Sequence, residues 1–336
     1  MTDADSVWLP VQDAGAVGAV RRAATRLGQA LGLAEARLAD LAIVASELGS
    51  NLYKHADDGL VLVRAVRRAG RAGVEIVTLD KGPGMADIGR SIEDGHSTSG
   101  TLGIGLGAVA RQASEFDAYS HPGTGTVIAA AVWEPSRPSP EPGFEAIGVG
   151  RPMSGEEVSG DGYASRTTER GTVQLMVCDG LGHGPLAAFA AQAAEAAFRS
   201  AAQAAPKEVL EHLHRSLTHT RGAVATVVEL DPGSERARFA GLGNISGSIV
   251  DNGQRRMMVM QPGIAGHQRP RLRELELPCP PTAVVVLHSD GINGQWSLDR
   301  YPGLIARTPL VVAATLFRDA SVRRDDATIM VAKVRE

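Results

Sequence analysis

The sequence predicts an α+β protein of two domains. Its 336 residues are about the length of two average domains. Helix-like and strand-like hydrophobic patterns alternate along both halves. A proline-rich segment, residues 135–143, lies between them. Because proline fixes φ and has no backbone N–H, this segment can join neither a helix nor an inner strand. We therefore expect domains at residues 1–134 and 144–336, each folding on its own.

The composition predicts a soluble globular protein of the cytoplasm. Hydrophobic residues make up 43% of the chain and charged residues 21%, which excludes a mostly disordered chain. A net charge of −4 without a basic stripe argues against nucleic-acid and membrane surfaces. The first ten residues lack the apolar segment of a secretory signal, and apolar stretches such as Leu310–Phe317 are too short to span a membrane. Cys178 and Cys279 lie in or beside apolar runs, which favours a reducing compartment over a disulfide framework.

The N-terminal half contains an amphipathic helix pattern over residues 36–55. Its apolar residues recur at spacings of three and four, the period of one helix face. They are Leu38, Leu41, Ala45, Leu48 and Leu52. Strand patterns follow at residues 60–66, 74–80 and 125–133, and a helix led by glycines is predicted over 103–116.

The C-terminal half is predicted as a succession of strands with one alanine-rich helix that begins near Pro185. The predicted strands cover residues 144–150, 172–178, 223–230, 236–241, 283–289 and 327–334. The prolines leave about 135 residues before them and about 190 after them, so each half is long enough to bury its own core, and no internal repeat is present.

Polar residues form a second stripe on the helix at 36–55. Glu47, Asn51 and His55 are four residues apart, which places them on one face. At about 100° per residue, this face lies roughly a quarter turn from the apolar stripe. Taken alone, the stripe is explained best by a solvated helix face.

Two glycine-containing segments change that interpretation. Asp80 ends a predicted strand and precedes Gly82 and Gly84, so an acid stands where the backbone can approach a ligand closely. Further glycines open the helix predicted over 103–116, whose N-terminal amides and dipole attract phosphate. These are Gly103, Gly105 and Gly107. Residues 103–108 also fit the dinucleotide-binding fingerprint, which we reject because a Ser/Thr-rich loop, and not a strand, precedes them.

In this order the three segments resemble the ATP-binding domain shared by histidine kinases, gyrase and heat-shock chaperones, and most closely the RsbT-like anti-sigma serine kinases. Residues 47–56 resemble the N box, residues 80–84 the first glycine box and residues 103–107 the second. The resemblance covers nearly all of residues 10–134. It implies an α/β sandwich of the Bergerat type that binds ATP with Mg²⁺.

The resemblance also implies a role for each motif residue. Asn51 would hold Mg²⁺ through its side-chain oxygen, and Asp80 would accept a hydrogen bond from the adenine amino group. Glu47 would orient or deprotonate the attacking serine. The other implied nucleotide-binding residues are Lys54, His55, Gly82, Gly84, Gly103, Gly105 and Gly107.

The C-terminal half repeats one pattern, an acid at the end of an apolar strand. Asp179 and Asp290 each follow a predicted strand and precede a glycine. Asp325 and Asp326 stand directly before the last predicted strand, and Asp161 lies between two glycines. A single Asp–Gly pair is most often a turn, but together these acids indicate a site for a hard cation. The sequence contains no zinc-ligand spacing of Cys and His and no Gly-x-Ser-x-Gly elbow.

These motifs resemble the metal-dependent PPM-type serine/threonine phosphatases, in their SpoIIE-like branch. The matching segments are residues 159–162, 177–184, 289–291 and 324–328. Residues 220–226 and 241–246 resemble the RsbX-like phosphatases in particular. The resemblance covers about residues 144–335 and implies a four-layer α-β-β-α fold.

By this resemblance, the C-terminal domain would hold two Mn²⁺ or Mg²⁺ ions. The implied ligands are Asp161, Asp179, Asp290, Asp325, Asp326 and the carbonyl oxygen of Gly180. Asp179 would bridge the ions as the central catalytic residue, and Asp290 and Asp325 would complete the shell of one ion. Asp161 would bind directly or through water. Leu181 occupies the position at which some relatives carry a histidine, so neither a general acid nor a phosphate-binding arginine is assigned.

Together the two resemblances imply a bifunctional stress-signalling protein. An RsbT-like kinase and an RsbX-like phosphatase would add and remove phosphate on serine or threonine residues of STAS-domain proteins, in a stressosome or a similar partner switch. Two alternatives stay open. One is a phosphatase whose ATP-binding domain is a non-catalytic sensor or docking module, and the other is an anti-sigma protein that sequesters its target. The sequence does not define the oligomeric state.

Overall fold

The chain folds into two compact α+β units, as predicted. The computed structural model describes residues 6–68, 70–92, 105–135, 143–267 and 271–334. The first unit contains the described residues before the proline-rich segment, and the second contains most of those after it. Residues 136–142 of that segment lie outside the described part, so its role as a spacer stays a prediction. Ala306–Arg318 belong to the first unit, although the division at the prolines assigned them to the second.

The first unit is built around one antiparallel sheet. Its strands are β1 Ser6–Pro10, β2 Leu60–Arg68, β3 Arg71–Leu79, β4 Glu115–Ser120 and β5 Thr126–Trp133, and its helices include α1 Ala14–Ala30, α2 Glu35–His55, α3 Ile88–Ile92 and α4 Gly105–Gln112. The strand order is β1-β2-β3-β5-β4. Apolar side chains from α1, α2 and α4 share one core with side chains from one face of the sheet.

The predicted elements of the first unit are present, with one correction. The helix predicted over residues 36–55 is α2, and its apolar stripe faces the core. The buried residues of that stripe are Leu41, Ala45, Leu48 and Leu52. The helix predicted over residues 103–116 ends at Gln112 because the chain leaves it to join the sheet. The Ser114 N–H donates to the carbonyl oxygen of Ala131 at 2.8 Å, and β4 follows directly.

Two antiparallel five-stranded sheets face each other in the second unit. The strands are β6 Phe144–Arg151, β7 Asp161–Thr167, β8 Val173–Gly180, β9 Ala223–Asp231, β10 Arg236–Leu242, β11 Ser246–Asp251, β12 Gln254–Met258, β13 Leu275–Pro278, β14 Val284–His288 and β15 Ala327–Val334. The sheet orders are β13-β10-β9-β8-β7 and β12-β11-β14-β15-β6. Side chains from both sheets share one core, and the helices α5 (Pro185–Ser200) and α6 (Pro206–Ser216) cover the other face of the first sheet. The predicted fold class is confirmed.

One apolar helix, α7 (Pro309–Ala320), takes a position that the sequence did not indicate. The Thr308 N–H and hydroxyl, just before this helix, both donate to Asp117 Oδ2 at 2.8 Å. Phe317 stacks on Trp8 of β1 with ring centroids 5.5 Å apart, on the sheet face opposite α1 and α2. The apolar stretch therefore forms a buried helix of the first unit. No helix in the described parts of the chain is long and apolar enough to cross a membrane.

Candidate nucleotide site and candidate metal centre

The N-terminal candidate site begins with the polar stripe of α2. The buried leucine stripe fixes the rotation of this helix about its axis. Glu47 and Asn51 consequently lie on a neighbouring, partly exposed side of the helix. Lys54 and His55 are exposed in its last turn. The structure thus leaves all four predicted residues within reach of a ligand.

Asp80 follows β3 in a nearly buried position, with 9% of its surface exposed. Its Oδ1 accepts a hydrogen bond from the Gly82 N–H at 2.8 Å, and its own N–H donates to the carbonyl oxygen of Thr126. Burial is the largest influence and raises the pKa of this carboxyl, while backbone hydrogen bonds with Gly82 and Thr126 oppose that effect. A carboxyl held in this way offers a fixed acceptor of the kind that the amino group of a base requires.

Two glycines allow the backbone to close around Asp80. Gly84 has φ +68°, and a Cβ added there would overlap the carbonyl oxygen of His121. Gly125 has φ +80°, and a Cβ there would overlap the carbonyl oxygen of Asp80. Gly84 was among the predicted residues. Gly125 was not, although its place at the start of a strand was a usable signal.

The structure brings the described parts of the three N-terminal motifs together. A Cβ on Gly82 would lie 2.8 Å from the carbonyl oxygen of His55, at the end of α2. Helix α4 begins at Gly105, buries Gly107 and packs on α2 through the common core. Gly103 lies outside the described residues. The helix with the N box therefore ends beside Gly82 and shares a core with the helix that begins at Gly105.

The C-terminal candidate site lies where strands of both sheets begin or end. Asp161 begins β7 and stands directly opposite Asp179, near the end of β8. Asp290 follows β14, and Asp325 and Asp326 directly precede β15. Asp161 and Asp326 are buried. Asp290 and Asp325 are exposed, so the acids extend from the interior to the surface.

Electrostatic interactions indicate that these acids share one site. The pKa of Asp179 is raised to about 7, first by burial and then by the carboxylates of Asp290, Asp325 and Asp326. Burial also raises the pKa of Asp161 well above its usual value, with Asp179 as the second cause. All these influences on Asp179 disfavour its charged form, and a divalent cation would reverse that preference.

Two side chains to which the sequence assigned no role hold acids in place. The Ser289 hydroxyl donates to Asp161 Oδ2 at 2.6 Å and accepts a hydrogen bond from the Thr328 N–H at 3.0 Å. Asn244 Nδ2 donates to Asp290 Oδ2 at 2.7 Å. Both residues lie inside segments that resembled phosphatase motifs, which was the available signal.

The glycines beside these acids allow neighbouring backbone segments to pack closely, which is a different role from that of glycine in a simple turn. A Cβ on Gly291 would overlap the carbonyl oxygen of Asp326, and a Cβ on Gly180 would overlap that of Ala187. Gly180 is still part of β8, and its N–H donates to the carbonyl oxygen of Gly160 at 2.9 Å. The close approach of these backbones gathers the acids at one end of the two sheets.

Asp326 differs from the other acids in its hydrogen bonds. Its two carboxylate oxygens accept hydrogen bonds from the backbone N–H groups of Met153 and Gly160, at 2.7 and 2.8 Å.

Within the described residues, no three or more Asp, Glu, His or Cys side chains are positioned to hold one metal ion. The chemistry of the donors fits a hard divalent cation, because carboxylate oxygens are its preferred ligands and three other carboxylates interact electrostatically with Asp179. The role of each ligand stays a prediction.

Comparison with known proteins identifies both halves of the chain. Residues 10–132 match the family described as Histidine kinase-like ATPase domain, and residues 169–335 match Stage II sporulation protein E (SpoIIE). The serine/threonine-protein kinase RsbT of Bacillus subtilis (strain 168) is 38% identical over 115 residues, which are 34% of this chain and 86% of RsbT. A solved structure described as “The bacterial stressosome: a modular system that has been adapted to control secondary messenger signaling” is 30% identical, with a TM-score of 0.51. That match covers 56% of this chain and 99% of the other.

These matches confirm both resemblances and the predicted class of enzyme. The chain belongs, in its N-terminal domain, to the RsbT-like group of histidine kinase-like ATPases and, in its C-terminal domain, to the SpoIIE family of PPM-type protein serine/threonine phosphatases.

Proposed function

We propose that this chain is a bifunctional signalling enzyme that adds and removes phosphate on one protein partner. The N-terminal domain transfers the γ-phosphate of ATP to a serine or threonine, and the C-terminal domain hydrolyses the resulting ester. The observation that supports this most is the presence, in one chain, of an RsbT-like domain and of a partly buried Asp179 that interacts electrostatically with three further carboxylates. The proposed partners are STAS-domain proteins of a stressosome or a similar partner switch, in keeping with the similarity to RsbT and to a stressosome structure.

In the N-terminal domain, three residues divide the work of phosphate transfer. Asn51 would hold Mg²⁺ through its side-chain oxygen, and the ion would neutralise charge on the phosphates of ATP. Asp80 accepts a hydrogen bond from the adenine amino group. Glu47 lies one helical turn before Asn51 and orients the hydroxyl that is phosphorylated. The N-terminus of α4 supplies backbone N–H groups for the phosphates.

In the C-terminal domain, the acidic cluster is the proposed centre for two Mn²⁺ or Mg²⁺ ions. Such ions would neutralise the phosphate and activate water for in-line attack at phosphorus. The ligands are proposed to be Asp161, Asp179, Asp290, Asp325, Asp326 and the carbonyl oxygen of Gly180. Ser289 and Asn244 hold two of these carboxylates through hydrogen bonds, which limits the rotation of the ligands before an ion binds.

The proposal is tested with the full chain, a purified STAS-domain protein and ATP labelled at the γ-phosphate. We expect Glu47→Ala to abolish transfer of label while release of phosphate from a prelabelled partner continues. Asp179→Asn should have the opposite effect. Glu35→Ala, which changes an exposed acid at the other end of α2, is the matched control and should retain both activities. Transfer that persists in Glu47→Ala would contradict the assigned kinase site.

The same experiment separates the two alternatives. ATP binding with phosphate release but no transfer to any partner would favour an ATP-binding sensor attached to a phosphatase. A stable complex with the partner and no turnover in either direction would favour sequestration.

A further inference from the structure

Helix α5 exposes two large apolar side chains beside the acidic cluster. Leu186 is 54% exposed and Phe189 is 50% exposed, one helical turn apart. On the other side of the helix, Ala187 is buried and packs against Gly180, the residue after Asp179. The exposed turn is therefore held next to the proposed phosphatase centre.

A second segment, which ends at Gly222, is attached to the loop that leads into α5. The Gly222 carbonyl oxygen accepts a hydrogen bond from the Leu181 N–H at 3.1 Å. Within the segment, the Thr220 hydroxyl oxygen accepts the Gly222 N–H at 2.9 Å. His267 Nε2–H donates to the carbonyl oxygen of Arg221 at 2.7 Å. The backbone that carries Arg221 is thus fixed against this loop.

The guanidinium of Arg221 lies over the same loop. Its Nη1 is 3.1 Å from the position that a Cβ on Gly182 would take. The residue is exposed, and it forms no ion pair with a carboxylate of the described residues. Gly182 is three residues beyond Asp179, so a positive charge without a carboxylate partner among the described residues lies beside the acidic cluster.

His219 joins these two segments into one surface. Its ring meets the ring of Phe189 edge to face, with centroids 6.1 Å apart and an angle of 73°. We call Leu186, Phe189, His219 and Arg221 the α5 rim. The rim combines an apolar patch with the exposed guanidinium of Arg221 beside the acids.

We propose that the α5 rim binds the polypeptide segment that carries the phosphorylated serine or threonine. Arg221 faces the phosphate, whose negative charge complements its guanidinium. Leu186 and Phe189 bury an apolar side chain that flanks the phosphorylated residue. This inference rests on the proposed function and defines its substrate class as a phosphorylated segment with apolar neighbours.

Binding is measured by fluorescence anisotropy on the full chain carrying Asp179→Asn, with labelled phosphoserine peptides whose flanking residues are leucine or aspartate. We expect Arg221→Ala to weaken binding of the phosphorylated peptide about tenfold and to reduce its preference over the unphosphorylated one. Arg221→Lys should retain part of that preference, because it keeps the charge but not the planar fork. Phe189→Ser should reduce the preference for leucine-flanked over aspartate-flanked peptides about tenfold.

Two exposed residues of the same unit provide matched controls. Arg170 lies in the turn between β7 and β8, at the end of these strands opposite to Asp161 and Asp179. Met257, on β12, is 50% exposed, as Phe189 is. Arg170→Ala and Met257→Ala should bind every peptide as the parent chain does.

The proposal is wrong if Arg221→Ala and Phe189→Ser leave both preferences unchanged. It is also wrong if light scattering shows that the chain self-associates through the rim, so that Phe189→Ser changes its mass and not its peptide preference. Phosphatase activity with Mn²⁺ is assayed separately in the chain without Asp179→Asn. A chain without phosphatase activity would overturn the proposed function. The binding measurements would still show whether the α5 rim binds the phosphorylated peptide.

Discussion

The guanidinium of Arg318 donates a hydrogen bond to the backbone carbonyl oxygen of Asp80, at 3.2 Å. Arg318 lies near the end of α7 and is 7% exposed. Its positive charge lowers the pKa of the Asp80 carboxyl, against the larger effect of burial. A residue from far along the chain thereby supports the acid to which adenine recognition is assigned.

Replacing Arg318 with alanine should weaken ATP binding. The Asp80 carbonyl loses a charge-assisted hydrogen bond and the Asp80 carboxylate loses a nearby cation, which together cost about 1 kcal/mol or more. Calorimetric titration of the full chain with ATP and Mg²⁺ measures the change. Arg318→Lys keeps the charge and should bind ATP with intermediate affinity. Equal affinities in Arg318→Ala and the wild type would contradict the coupling.

Asp80→Asn should weaken ATP binding more strongly than Arg318→Ala. The neutral amide loses the charge that strengthens a hydrogen bond from the adenine amino group, a loss of about 1.5–3 kcal/mol. Asp58→Asn, an exposed change in the loop after α2, is the control and should bind ATP normally. Equal affinity for ATP and GTP in both the wild type and Asp80→Asn would remove the adenine assignment.

Asp179 should make the metal-free chain less stable as the pH rises toward neutrality. Its pKa is about 7 in the folded chain against the usual 3.8, so between these values the folded state holds a proton that the unfolded state releases. Stability from this group is therefore complete below about pH 4 and is lost as the pH rises to about 7. From pH 5 to pH 8 in EDTA, the wild type should lose on the order of 2–3 kcal/mol relative to Asp179→Asn.

Urea unfolding of both proteins at the two pH values measures this difference. Added Mn²⁺ should reduce it, because the cation favours the charged carboxylate. Equal pH dependence of the two proteins in EDTA would show that Asp179 does not carry the raised pKa.

Removal of the divalent metal should abolish phosphate release. EDTA, or Asp179→Asn with metal present, should lower the rate on a phosphoserine peptide by more than about two orders of magnitude. Circular dichroism should show that Asp179→Asn retains the fold. Full turnover by the wild type in EDTA would exclude the metal-dependent mechanism.

Ser289→Ala and Asn244→Ala should raise the Mn²⁺ concentration that gives half-maximal activity about 10- to 100-fold, because each side chain orients a ligand carboxylate. Ser248→Ala is the matched control. Its hydroxyl is buried in β11 and has no hydrogen-bond partner among the described residues, so its removal should leave the metal requirement unchanged. Similar metal requirements in all three variants would assign Ser289 and Asn244 a structural role alone.

Elements with a clear internal period were predictable from the sequence. Helix α2 lies where its leucine spacing placed it, and the apolar runs of β8 and β15 are strands. The motif order also located Asp80 and Asp179 at strand ends, since an acid after an apolar run followed by glycine is a local pattern. These features depend on neighbours within a few residues.

Contacts between distant segments could not be predicted in this way. Arg318 and Asp80 are 238 residues apart, and Ser289 and Asp161 are 128 residues apart. A hydrogen bond over such a separation leaves no period or motif in the sequence. Helix α7 is buried on all sides from Pro309 to Phe317, so its mostly apolar pattern indicated burial but not the surface that buries it.

The position of α7 means that the first unit is built from chain on both sides of the prolines. A fragment that ends before the prolines would lack the helix carrying Phe317 and Arg318, and a fragment that begins after them would carry that helix without the sheet on which it packs. Protease cleavage within residues 136–142 should accordingly yield two pieces that stay bound in gel filtration until denaturant separates them.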